Sequence, residues 1–152
     1  MRRIAFLGLG KMGLPMATNL AKAHTLLLSH NSLGAPAARE LAAAMPSLPG
    51  LRRLSLSGNE LSELSLQAGR LGKLQQLSLF NNKLSGLHRN LEVLKRFNYL
   101  QHLDLSHNEI SRVAPEIQNC TLLRKLILSQ NFLSEVPSYS LSSSVSLSLS
   151  SS

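Results

Sequence analysis

Gly8, Gly10 and Gly13 stand in the spacing G-x-G-x-x-G, with Lys11 and Met12 between the second and third glycines. That spacing suits phosphate chemistry. Gly8 allows a tight turn, Gly10 lets the backbone approach a pyrophosphate, and Gly13 lets a helix pack closely on a strand. Free amides at the start of that helix favour an anion. The candidate cofactor contacts are therefore Gly8, Gly10, Lys11, Met12 and Gly13. Histidines offer less. His102 and His107 fall on opposite faces of a regular strand, and no carboxylate or cysteine completes a metal ligand set at a workable spacing. His24 and His30 form no triad with a motif serine. No catalytic residue and no metal ligand is assigned.

The elements around the glycines read as an apolar strand, Ile4 to Leu7, and a helix, Met12 to Ala23. Beyond them a different pattern takes over. The motif L-x-x-L-x-L-x-x-N-x-L recurs as Leu51, Leu54, Leu56, Asn59, Leu61, then Leu74, Leu77, Leu79, Asn82, Leu84. Two more copies are Leu100, Leu103, Leu105, Asn108, Ile110 and Leu123, Leu126, Leu128, Asn131, Leu133. The near-even spacing of their first leucines, Leu51, Leu74, Leu100 and Leu123, leaves room in each unit for one strand and one return segment. Each L-x-L pair suits a short strand whose alternate side chains point inward. One unit cannot bury its leucines alone, so neighbours must stack, at about 0.8 kcal/mol per buried methylene.

The asparagine is the more specific element, because leucines alone would suit any amphipathic helix. An amide held between tight turns donates to and accepts from backbone groups that otherwise have no partner. These four copies resemble the leucine-rich repeat family, which implies a solenoid with a parallel sheet on its concave face. Residues 113–117 and Val136-Pro137 look like that family's return segments. An earlier copy, Leu26 to Leu33, repeats the core L-x-L-x-x-N-x-L and starts the array one coil upstream of Leu54. The alanine-rich stretch after Pro36 is helix-forming sequence and resembles the longer repeat of the ribonuclease-inhibitor subtype. A helical convex side is expected early and a less regular one later.

Gly8-Leu9-Gly10-Lys11-Met12-Gly13-Leu14-Pro15-Met16-Ala17 with Asn19-Leu20 resembles the opening of the β-hydroxyacid dehydrogenases, the 3-hydroxyisobutyrate and tartronate semialdehyde reductase group. The resemblance implies NAD(P) binding and covers only the stretch from Ile4 to Lys22. The chain then departs from it. The family's Lys-Ala-Gly-His has become Lys22-Ala23-His24, without the glycine that ends the helix in a left-handed turn. No acid follows the second strand to take the ribose hydroxyls, and the Asn-Arg pair of NADP-using members aligns with His30-Asn31. The substrate motif and the catalytic lysine region have no counterpart. The expected architecture is α/β: a βα unit, residues 1–22, capping repeats over 23–137, with a serine-rich tail over 138–152. No cofactor is expected; NADP belongs to the alternative, a truncated dehydrogenase fragment that retains nucleotide binding.

Composition agrees with one leucine-filled coil: 152 residues, 43% hydrophobic, 4% aromatic. The net charge of +8 is spread, with no basic run longer than a pair such as Arg52-Arg53 or Arg124-Lys125. Such a balance favours acidic partners by long-range attraction, while no motif supports specific nucleic-acid recognition. A lone cysteine, Cys120, excludes an internal disulfide and points to a reducing, cytoplasmic setting. Lys11 interrupts the apolar start well short of a membrane span, and no membrane partner is expected.

The tail carries ten serines and no charge, so disorder is its default reading. Against that, Leu147-Ser148-Leu149 falls roughly one coil length after Leu126-Ile127-Leu128 and can add a degenerate further strand that covers the sheet edge. The outward strand positions define the expected recognition face: Arg53, Gln76, Phe80, His102, Asp104 and Lys125, with Phe80 as the anchor among its neighbours. The reading is a non-enzymatic scaffold that binds a protein or peptide, acidic in character.

Overall fold

A computed structural model describes residues 3–5, 24–34, 48–63, 71–85, 97–113, 115–134 and 146–148. The glycine triplet, the expected helix from Met12 and the alanine-rich stretch after Pro36 lie outside the described residues. Among the described residues, seven three-residue strands carry the fold: β1 Arg3–Ala5, β2 Thr25–Leu27, β3 Arg53–Ser55, β4 Gln76–Ser78, β5 His102–Asp104, β6 Lys125–Ile127 and β7 Ser146–Ser148. They form one parallel sheet in the order β1-β2-β3-β4-β5-β6-β7. The order never reverses, because each coil returns the chain to the next position along the sheet.

The register places the central residue of every strand in one row, Ile4, Leu26, Leu54, Leu77, Leu103, Leu126 and Leu147. Leu26 to Leu126 in that row are buried, and in β3 to β6 the residues on either side of them face outward. Behind it lies a second leucine row, Leu28, Leu56, Leu79, Leu105 and Leu128, also buried. A third row was not read from the motif: Leu48, Leu71, Phe97 and Cys120, three residues before Leu51, Leu74, Leu100 and Leu123. Each of its members accepts a backbone hydrogen bond from the amide three residues on, at 2.9–3.1 Å, which makes the tight turn that leads into the next strand. On the convex side of the late coil, Pro115–Asn119 forms a 3₁₀ turn in place of a longer helix. The proline fits its first position, where no amide hydrogen is required.

Cys120 is buried because it occupies the position that leucine and phenylalanine hold in the other coils. Desolvation raises its thiol pKa from 9.0 to about 11. Between those values the unfolded chain releases the thiol proton while the folded chain keeps it. Stability therefore falls as pH rises from 9.0 towards 11, by an amount on the order of 2 kcal/mol, and shows no such slope below 9.0. Urea melts across this range should show a shallower decline in Cys120→Ala than in the parent chain. An equal decline in both would contradict the burial.

Immediately before each ladder asparagine the backbone turns left-handed: His30 (φ 58°), Gly58 (φ 64°), Asn81 (φ 52°), His107 (φ 53°) and Gln130 (φ 55°). One coil uses glycine, and there the reason is also steric, since a Cβ on Gly58 would meet His30 Nδ1 at 2.4 Å. In the other coils a side chain is carried in a conformation that costs roughly 1–2 kcal/mol for most L-residues. Gln130 is exposed, so Gln130→Gly relieves that cost with no packing lost. The expected gain is about 0.5–1 kcal/mol after the extra unfolded-state entropy of glycine, read as a higher urea midpoint. A lower midpoint would contradict the strain.

Candidate functional site

Two kinds of residue bear on function, those that hold the coils in register and those that the coils display. The first are the asparagines. Asn82 accepts from the amides of Asn59 (3.1 Å) and Leu61 (3.0 Å) in the preceding coil. Its own amide donates to the carbonyls of Leu56 (3.0 Å), Leu79 (2.9 Å) and Phe80 (3.3 Å). Asn59 accepts from Asn31 N (2.9 Å) and Leu33 N (3.4 Å) and donates to Leu28 O (2.7 Å) and Ser57 O (3.2 Å). The arrangement repeats at Asn108, which accepts from Leu84 N, and at Asn131, which accepts from Ile110 N. Both also donate across to carbonyls of the coil before. Each side chain thus joins two coils through polar groups that are largely shielded from water.

The displayed residues fall in two rows that cross the strands. The first residues of β2 to β6 supply Thr25, Arg53, Gln76, His102 and Lys125; the third residues supply Leu27, Ser55, Ser78, Asp104 and Ile127. Between them they line a groove of about 390 Å³ on the concave face. Five of the six residues expected to meet a partner are therefore brought together: Arg53, Gln76, His102, Asp104 and Lys125. The sixth, Phe80, lies beyond the end of β4 and outside the groove lining. Its ring meets His107 of the next coil edge-on, with centroids 4.9 Å apart, so its neighbour is His107 and not the expected ring of Arg53, Gln76, His102 and Asp104.

Hydroxyls pair from coil to coil, with Ser55 and Ser78 in the groove lining. Ser29 and Ser55 Oγ are 2.8 Å apart, Ser55 and Ser57 3.1 Å, and Ser57 and Ser78 2.9 Å, a chain that spans three coils. Asp104 Oδ1 accepts from the Ser106 hydroxyl (2.6 Å) and amide (3.0 Å), which holds its carboxylate at the groove side. The hydroxyl chain has no signature in the sequence, since hydroxyl pairing depends on the register between coils. Among the described residues no side-chain hydrogen bond or ion pair holds Arg53 or Lys125, whereas Lys83 is paired with Glu60 at 3.0 Å on the exposed outer side. Arg53 and Lys125 thus stand in the groove without a direct ion pair, beside the one carboxylate of Asp104.

Among the described residues no group of three His, Cys, Asp or Glu side chains is placed to hold a metal ion. No helix among them is long and apolar enough to cross a membrane. For a dinucleotide the test is topological. Such cofactors bind in the crevice where strand order reverses, at the carboxyl ends of two diverging strands. Here β1 ends the described sheet on one side and the order runs from β1 to β7 without reversal, so the described strands form no such crevice. After β2 the chain reads Leu28-Ser29-His30-Asn31, with no acid for a ribose.

Comparison with known proteins bears on both parts of the chain. The leucine-rich repeat family profile matches residues 50–69 and 99–120. The profile for the NAD-binding domain of 6-phosphogluconate dehydrogenase matches residues 3–52. That match runs further than the opening segment recognised in the sequence and includes Leu26 to Leu33, so β2 serves both patterns. Both require an inward-facing apolar strand that joins its predecessor in parallel. Among curated proteins no sequence match was found.

Among solved structures, internalin C2 of Listeria monocytogenes is 22% identical, with a TM-score of 0.61 over 91% of this chain and 66% of its own. A leucine-rich repeat protein of Leptospira interrogans is 28% identical, with a TM-score of 0.63 over 90% of this chain and 35% of its own. The chain thus spans less than two thirds of either relative. The stacked coils, their asparagines and these matches together make the chain a leucine-rich repeat solenoid, whose first two strands lie in a segment similar to an NAD-binding domain.

Proposed function

We propose that the chain is a non-enzymatic recognition scaffold that binds a protein or peptide of acidic character on its concave sheet face. The groove lined by Arg53, Gln76, His102, Asp104 and Lys125 is the observation that supports this most. Its Ser55 and Ser78 hydroxyls are held by the serine chain, so little of their side-chain entropy is lost on binding. Arginine and aromatic anchors dominate interface energies; Arg53 lies in the groove and Phe80, half-buried beyond the end of β4, outside it. Binding by shape and charge on a rigid wall needs no turnover. The buried, single Cys120 fits a reducing, cytoplasmic setting.

Affinity capture tests this reading. Arg53→Glu and Phe80→Ala should each abolish capture of partners that the parent chain retains, while melting temperature changes little, since both side chains are only half-buried. Losses of capture and of melting temperature in proportion would count against it. The profile match over residues 3–52 favours a second reading, a nucleotide-binding remnant. Titration with NADP(H), followed by nicotinamide fluorescence and thermal shift, separates the two. The scaffold reading expects no shift; a shift removed by Gly10→Val would support the remnant.

A further inference from the structure

The two rows of the concave face carry different chemistry, and the difference limits what can lie on them. The first row holds Arg53 on β3 and Lys125 on β6, three strand steps apart. Parallel strands are about 4.8 Å apart, which puts the two cations about 14 Å apart at their backbones. In an extended peptide, side chains four residues apart are separated by about 13–14 Å and point the same way. The second row is apolar at both ends, Leu27 and Ile127, and carries Asp104 between them. Leu27 is 39% exposed, an apolar surface turned to solvent beside the cationic row.

We propose, building on the scaffold reading, that the groove takes an extended acidic peptide laid across the strands, with two carboxylates four residues apart on Arg53 and Lys125. Apolar side chains of the same peptide cover Leu27 and Ile127. Asp104, held by Ser106, lies on β5, one strand step from Lys125 and two from Arg53, and rejects a third acidic residue between the two. Gln76 and His102 lie between the cations in the first row and supply hydrogen-bonding groups to the peptide backbone. A uniform polyanion such as a nucleic acid is disfavoured, because it would set one of its evenly spaced phosphates over Asp104 and leave the apolar ends uncovered.

A random heptapeptide library displayed on phage and selected on the full chain tests this directly. Enriched peptides should carry two acidic residues four apart with no acid between them. A labelled synthetic copy of the consensus should bind about tenfold more weakly, or worse, to Lys125→Glu, and a copy with one acid changed to lysine should recover the loss. A short oligothymidylate should not displace it. Enrichment without the acidic pair, indifference to Lys125→Glu, displacement by the oligothymidylate, or no enrichment at all would each overturn the proposal. If enriched peptides lack the pair but are lost on Arg53→Glu or Phe80→Ala, the scaffold reading stands and only the peptide pattern fails. If no variant of this face affects them, both fail.

Discussion

Replacing Asn82 by leucine should cost about 2–5 kcal/mol and leave the array partly unfolded at moderate urea. The side chain accepts from two buried amides of the preceding coil and donates to three carbonyls, so an apolar group of similar size strands several polar groups at once. Each buried amide left without a partner costs about 1–3 kcal/mol, and the two amides alone account for the range. Against a typical domain stability of about 5–15 kcal/mol, that is a large share. Asn131→Leu should cost less, because Asn131 is only half-buried and its oxygen accepts from one amide, that of Ile110. Urea midpoints for the two variants provide the test, and equal midpoints would show that the amides contribute no more than surface side chains do.

Leu103→Ala is the second large loss, about 2–5 kcal/mol, from transfer and cavity together. Leu103 is buried in the central row, with Leu77 on one side and Leu126 on the other at matched register. Its removal weakens two coil interfaces at once, and in a stacked array stability is close to a sum over such interfaces. Leu133→Ala should cost markedly less, since Leu133 is only partly buried against the core. Calorimetric melting should rank the two in that order, and the opposite ranking would place the seam elsewhere.

The leucine rows and the asparagines were legible because each follows from one requirement that repeats: an inward strand residue, or an amide between turns. Even β7 could be read within a serine-rich tail, through the echo of Leu126 at Leu147, although composition alone argued for disorder. What helped there was register, which the sheet imposes on a sequence with little apolar content. The row formed by Leu48, Leu71, Phe97 and Cys120 was missed because its members differ in type and only their spacing agrees. The left-handed turns were hidden for a similar reason. The coil imposes that conformation on His30, Asn81, His107 and Gln130, and one glycine at position 58 was too little to announce it.

On the concave face, strand alternation put Arg53, Gln76, His102, Asp104 and Lys125 on the outward side, where they line the groove, since alternation is a backbone property. Phe80 lies beyond the last outward position of β4, where the chain has begun to bend and alternation no longer applies. Its contact with His107, on the next coil, depends on the left-handed turn at His107 that sequence did not reveal. The phosphate-binding motif of Gly8, Gly10 and Gly13 was legible from spacing alone, and it lies outside the described residues.

The fold is one unreversed sheet whose coils share a leucine seam. Inter-strand nuclear Overhauser effects on the isotopically labelled chain measure that arrangement residue by residue. Cross-strand contacts between backbone protons near Leu26 and Leu54, Leu54 and Leu77, Leu77 and Leu103, Leu103 and Leu126, and Leu126 and Leu147, in the parallel pattern, are the result expected. Contacts of helical type within these segments, or cross-strand contacts that skip a coil or pair β1 with a strand other than β2, would contradict it.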